Sequence, residues 1–417
     1  MSRILFVVPP LAGHVNPAAA VAAELEARGH QVAWAGQPAA LARCLGPGAR
    51  VYFCAGPTGA RPDVRPGDRP GEPRGAAALK DLWEEFFAPL AVAMAPGVTA
   101  AVLEFFPDFL VVDQQTVAGA LVAERLRVPF VTSCTTSAEL AGSLTGVPKV
   151  ADGIARLLGG LRQRLGDPSA RYDPRFSPLL TLVFSTPEIT GAHALPVTPL
   201  RFLGPAVGPR PGAPDFPWEW LDRGSGHGRE RLALVTLGTA GSTAGAPFLQ
   251  ACVTAVRARR GEVRAVVVDP AGVLGDAAAA AAEDPDVLVR ASVPQLALLE
   301  RARAVICHGG HHTVTEALWH GVPLVVAPVR DDQPVVAAQV TAAGVGVRVR
   351  FRRADPVRVG SALDAVLEKP GYAAAARRVR TAFRAAGGAA AAAAQLDELA
   401  IEEDDFPWHS RAARPAT

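Results

Sequence analysis

Apolar and polar positions follow two rhythms along this chain. RILFVV (Arg3 to Val8) is a short β-rich run, followed by the loop PPLAGHVNP and then AAAVAAELEARGH, an alanine-rich helical stretch. Asn16 is placed to cap that helix, Pro17 to take its first position and Gly29 to end it. QVAWAG reads as the next strand, and PDFLVVD (Pro107 to Asp113), TVAGALVAERLR and VPFVTS repeat the strand, helix, strand order. This alternation predicts a doubly wound parallel sheet. It restarts further on, with LALVTLG, RAVVVD, AVICH and PLVVAP as strands and PFLQACVTAVRARR, VPQLALLERA and TVTEALWHG as helices. The expected fold is therefore α/β, two Rossmann-like halves in tandem, each with a glycine-containing turn after its first strand.

Breaks in the rhythm divide the chain. Residues 56–75 are dense in proline, glycine and arginine, too poor in apolar surface to order as a core, and predict a mobile loop. A second Pro/Gly stretch, Leu203 to Gly228, separates the halves. The division expected is 1–204 for the first domain, 205–228 for a linker, 229–386 for the second domain, and 387–417 for a terminal helix and frayed tail. The low-complexity stretch GGAAAAAAQLDELA within that last part favours helix and could pack back across both halves. At 417 residues two domains are the natural expectation.

Charge and cysteine content narrow the partners. Lys+Arg 42 against Asp+Glu 40 gives no electrostatic reason to expect nucleic acid or an anionic membrane. Five scattered cysteines without a CxxC pair suggest neither a disulfide framework nor a cysteine zinc site, and fit a reducing cytoplasm. The apolar run at the N-terminus is too short for a signal peptide, and no later stretch reads as the roughly 20 apolar residues of a membrane helix. A cytoplasmic protein, monomer or homodimer, is expected.

The densest chemistry lies in CHGGHHTVTEALWHG, Cys307 to Gly321, which holds four of the nine histidines. Gly309 and Gly310 break any helix between His308 and His311, so His308 should end a strand while His311, His312 and Glu316 ride the following helix. A metal site would use His308, His312 and Glu316, but the spacing matches neither HExxH nor any familiar ligand set. A strand, a glycine turn and a helix N-terminus instead present backbone N–H groups and partial positive charge to an anion, with phosphate the natural occupant. Thr313 and His308 can add side-chain donors.

The longer stretch VPQLALLERARAVICHGGHHTVTEALWHGVPLVVAPVRDDQP resembles the donor signature of GT-B nucleotide-sugar glycosyltransferases, the family-1 type that glycosylates plant metabolites, drugs and antibiotics. The order of the PQ pair, HGG, a small hydroxyl residue, Glu, GVP and Asp-Gln is kept over some forty residues. FVVPPLAGHVNP, FSTPEI with RFLGP, and LVTLGT extend the likeness loosely over the chain. The resemblance implies two domains facing a cleft, an inverting transfer from a UDP- or dTDP-sugar to a hydrophobic small-molecule acceptor, and no cofactor or metal. By position, the backbone of Val293 would pair the base and Gln295 would help hold base or ribose. Glu316 would bind ribose hydroxyls, and Asp332 and Gln333 sugar hydroxyls. His308, Gly310, His312 and Thr313, with Thr239, would hold the diphosphate.

In the first half, His14 lies in the turn after the first strand and Asp113 ends a later one, so both can open on the same sheet edge and form a pair in which the carboxylate orients the imidazole. Similar family members use these positions as a dyad, with histidine as general base. The acceptor is expected near LWEEFFAPLAVAM and SCTTSAEL, although Trp83, Phe86 and Phe87, taken singly, read better as ordinary helix core. Two departures stand out. Ser292 replaces the family's base-stacking tryptophan, leaving uridine against thymidine open, and Arg330 stands where an aromatic residue is frequent, as a surface charge or a partner for a carboxylate. Two other readings share the cleft: a nucleotide-sugar epimerase of GT-B fold, and a non-catalytic nucleotide-sugar-binding partner of another transferase. A nicotinamide dehydrogenase is disfavoured because PPLAGHVNP lacks GxGxxG and no acidic residue closes QVAWAG.

Overall fold

The structure, a computed structural model, describes residues 1–56, 76–140, 148–191, 199–212, 214–222, 231–238, 245–275 and 284–402. The loop expected at 56–75 lies almost wholly outside the described residues, as do Thr239 and residues 403–417. Two compact units form: Met1–Thr186 with His193–Pro211 and Ala386–Thr417, and Pro187–Ala192 with Gly212–Ala385. The expected linker, 205–228, is divided between the units at Pro211 and Gly212, and two further segments are placed differently. The short helix Pro187–Thr190 joins the second unit, where Ile189 enters the core, and the terminal helix Gly388–Glu402 is part of the first.

Seven strands make the first sheet: β1 (Arg3–Val7), β2 (Gln31–Gly36), β3 (Val51–Phe53), β4 (Phe109–Asp113), β5 (Phe130–Cys134), β6 (Thr181–Val183) and β7 (Leu200–Phe202). Their spatial order is β3-β2-β1-β4-β5-β6-β7, and every pairing is parallel. The two-residue period of β1 divides it between two cores. Leu5 and Val7 face the helix Ala88–Phe105, whereas Ile4 and Phe6 face the helix Ala12–Ala27 and, beyond it, Ala392, Ala393 and Leu396 of the terminal helix. Asp397 fastens that terminal helix by pairing with Arg28 at 2.6 Å and His30 at 2.5 Å. Burial raises the Asp397 carboxyl, but hydrogen bonds from Arg28 and His30 outweigh it and hold the group below its usual range.

The helix preceding the site starts earlier than its sequence signals suggest. It spans Ala12–Ala27 with Leu11 as N-cap, so Asn16 does not cap it and Pro17 lies inside. A proline there removes one backbone bond, which the other bonds of the helix and its buried face of Val15, Ala18, Val21 and Leu25 outweigh. The chain after Arg28 leaves the helix through Gly29 at φ 88°.

A further difference concerns Leu79–Phe105, which is long and apolar enough to cross a membrane by length and composition, contrary to the expectation. Glu84, Glu85, Pro89 and Pro96 hide this run in the sequence. Trp83, Phe87, Leu90, Met94 and Val98 are instead buried against the first sheet, which makes this a core helix, with a π-helical turn at Trp83–Phe87. Gly97 lets it lie against β3, because a Cβ there would overlap the Phe53 carbonyl and stand 2.9 Å from Cys54 Cα. Gly97→Ala should therefore lower Tm, with overpacking of about 1–3 kcal/mol exceeding the ~1 kcal/mol alanine gains in helix propensity. A higher Tm would show that β3 yields freely.

The second sheet holds β8 (Arg231–Thr236), β9 (Val263–Val268), β10 (Val287–Arg290), β11 (Ala304–Cys307), β12 (Leu324–Val326) and β13 (Gly346–Arg348). Its order, β10-β9-β8-β11-β12-β13, is again all parallel. In both sheets the strand order reverses beside the first strand, between β1 and β4 and between β8 and β11. Crevices for ligands form beyond the strand ends at such a switch point.

Candidate functional site

Each switch point carries one cluster of polar side chains. In the first unit, β1 and β4 run side by side, with Val7 opposite Val112. β1 therefore delivers His14, on the first turn of the following helix, beside Asp113 at the end of β4. His14 Nδ1 lies 2.9 Å from Asp113 Oδ2 although 99 residues separate them. Asp113 is 1% exposed and His14 15%, so the carboxylate is interior and the ring reaches the surface.

Two further contacts fix Asp113. The backbone N–H of Gln115 donates to its Oδ1 at 3.0 Å, and the Thr135 hydroxyl donates to its Oδ2 at 2.8 Å. Thr135 follows β5, the neighbour of β4, and was not singled out from the sequence. Below them the Gln115 amide donates to Glu139, which pairs with Arg175 at 2.6 Å. Glu139, at 1% exposure, is held in the interior by that pairing. Trp83 and Phe87 are buried and Phe86 is half-buried in the helix core.

In the second unit, Cys307 at the end of β11 pairs in register with Thr236 at the end of β8. The chain turns through Gly309, at φ 84°, and enters the helix His311–Trp319 with Gly310 as N-cap. The His308 ring lies across this N-terminus, in space that two glycines clear. A Cβ on Gly238 would stand 2.8 Å from its Cε1, and one on Gly310 would overlap its Nε2. Burial pushes the Cys307 thiol up to about 12, so it is not a nucleophile at neutral pH.

On the same helix His312 Nε2 meets Glu316 Oε1 at 2.8 Å, and Gln295 Nε2 donates to Glu316 Oε2 at 2.6 Å. Glu316 is fully buried, held at both oxygens by the two residues expected to share the site with it. Thr313 is buried on the helix's first turn. Val293 is half-buried and Ser292 exposed just before the helix Gln295–Arg301.

Asp332 is the N-cap of the helix Gln333–Ala342 and stands beside Asp331, at φ 54°. Gln333 takes on a loop-shaping task that the sequence did not suggest, its Oε1 accepting from the N–H groups of Val329 and Arg330 at 2.9 and 3.1 Å. Arg330 is buried, not a surface charge, with Nε 3.5 Å from Asp331. Among the described residues no group of three His, Cys, Asp or Glu side chains is arranged to hold a metal, the His308, His312 and Glu316 set included.

Comparison with known proteins bears on both units. Residues 263–399 match the family described as erythromycin biosynthesis protein CIII-like, C-terminal domain. The NDP-glycosyltransferase YjiC of Bacillus subtilis (strain 168) is 27% identical, over 93% of this chain and 95% of its own. The solved glycotransferase of kitacinnamycin superposes with a TM-score of 0.73 at 27% identity, covering 95% of this chain and 98% of that one. The spinosyn rhamnosyltransferase SpnG, solved with thymidine diphosphate, shares the fold at TM-score 0.72 and 23% identity, over 95% of this chain and 100% of its own.

Proposed function

We propose that this chain, a glycosyltransferase of the GT-B fold like the family-1 enzymes of natural-product biosynthesis that it resembles, is an inverting enzyme. It moves a sugar from a UDP- or dTDP-sugar to a hydroxyl of a hydrophobic small molecule, without metal or cofactor. The observation that carries this reading is the His14–Asp113 contact. A buried carboxylate at one ring nitrogen favours the proton there, which leaves Nε2 as the base. His14 Nε2 takes the acceptor proton as the acceptor oxygen bonds to the anomeric carbon. The bond from that carbon to the diphosphate oxygen breaks on the opposite face, with its electron pair leaving on the diphosphate. Asp113 steadies the imidazolium until its proton passes to solvent.

The second unit holds the leaving group. The N-terminus of the helix His311–Trp319, with His308 and Thr313 beside it, suits a diphosphate and lowers the cost of its charge. Glu316, oriented by Gln295 and His312, suits ribose hydroxyls. Asp332 suits sugar hydroxyls, while Gln333 contributes through its amide nitrogen and through the loop it shapes. Thymidine diphosphate in SpnG supports a dTDP-sugar among the donors. A thermal-shift screen of UDP- and dTDP-sugars, then acceptor screening with the best donor, tests the reading. Stabilisation by no nucleotide sugar would sink it.

A further inference from the structure

We infer that Arg290 supplies the surface on which the pyrimidine of the donor stacks, an inference that rests on the nucleotide-sugar reading of the second unit. Arg290 is the last residue of β10 and lies in register with Val268 of β9. Side chains alternate along a strand, so Arg290 shares a sheet face with Leu288. Leu288 packs in one core with Leu298 of the helix Gln295–Arg301 and Val314 of the helix His311–Trp319, and Val268 and Val293 border that same core. Arg290 therefore rises at the strand's end on the face that carries both helices suited to the donor.

A nucleotide with its diphosphate at the N-terminus of His311–Trp319 and its ribose at Glu316 is led toward Gln295, which donates to Glu316 Oε2 at 2.6 Å. The chain just before Gln295, from Arg290 to Pro294, is then the segment that borders the base. Ala291 and Ser292 are exposed there and offer no planar group, and Val293 is half-buried. Arg290 does offer a plane. Among the described residues the guanidinium of half-buried Arg290 makes one hydrogen bond, from Nη1 to the carbonyl of its neighbour Val289 at 2.9 Å, and no ion pair. β10 is the outermost strand of its sheet, so water can take over that carbonyl when the side chain turns to a ligand. A guanidinium is planar and weakly hydrated, which suits it to lie flat on a nucleobase. Such a contact reads the ring and not its substituent, so uracil and thymine are held alike.

Calorimetry on the full-length protein with UDP, dTDP and inorganic pyrophosphate tests this. Arg290→Ala should weaken UDP and dTDP about tenfold each and leave pyrophosphate unchanged, which also shows that the variant is folded. Arg290→Lys keeps the charge without the plane and should recover only part of the loss. Adding Ser292→Trp to Arg290→Ala puts a ring two residues from the truncated side chain and should restore affinity for both nucleotides. Unchanged UDP and dTDP affinity in Arg290→Ala would overturn the inference. So would an equal loss for pyrophosphate or full recovery by lysine, either of which would make Arg290 a charge for the phosphates. Failure of the native chain to bind either nucleotide would instead sink the donor reading, and the inference with it.

Discussion

His14→Ala should lower transfer by about 100- to 10,000-fold while leaving nucleotide affinity nearly unchanged. The proposed base would act on the acceptor, whereas the groups suited to the nucleotide diphosphate belong to the helix His311–Trp319 and its neighbours in the second unit. Asp113→Asn should also be severe. The amide keeps the shape but withdraws the charge that steadies protonated His14, and its NH₂ can face Nδ1 and favour the wrong tautomer. Because the two side chains touch at 2.9 Å and act as a unit, the double variant should be little worse than His14→Ala alone. Steady-state kinetics on the four proteins, with nucleotide affinity by calorimetry, decides this. Multiplicative losses would show that the two residues work separately, and near-normal turnover of His14→Ala with an oxygen-linked product would refute the base assignment.

The sequence made the two ends of this pair legible because β1 and β4 are apolar runs, β4 ending on the polar Asp113 and β1 followed by the turn that leads to His14. It did not show where the helix after β1 begins, since Asn16 and Pro17 are strong local signals that buried packing overrides. β6, β7 and β13 are three residues each, too short to show a period, and are strands because a longer neighbour offers them a ladder. Thr135 lay hidden for the same reason: a hydroxyl among the five in TSCTTS gains meaning only once β5 is known to lie beside β4. Gly238 is similar. Its role is to make room for His308, seventy residues on, which no local pattern records. The HGG turn was legible because its chemistry is local, a strand end, two glycines and a helix start in unbroken order.

That turn supports the second large effect. Uridine or thymidine diphosphate should stabilise the protein against heat, by about 2.7 kcal/mol at a hundred times Kd. Gly310→Ala should remove most of this. Gly310 has φ −63°, which alanine adopts readily, so the backbone need not change; the new Cβ instead overlaps His308 Nε2 and drives the ring from the helix N-terminus. Loss of one charge-assisted hydrogen bond of about 1.5–3 kcal/mol predicts roughly 10- to 100-fold weaker diphosphate binding, with the bare nucleoside little affected. His308→Ala and Thr313→Ala should show the same selectivity. Glu316→Ala should weaken nucleoside and diphosphate alike, and uridine ligands more than thymidine ligands where the 2′-hydroxyl is its partner. Chelators should change neither stability nor transfer, because in the proposed site the helix N-terminus and its flanking side chains would take the charge of the leaving group. Equal losses for nucleoside and diphosphate in Gly310→Ala would remove the phosphate from this turn. A stoichiometric metal, lost together with activity when His308 or His312 is replaced, would restore the metal site that the arrangement of these side chains argues against.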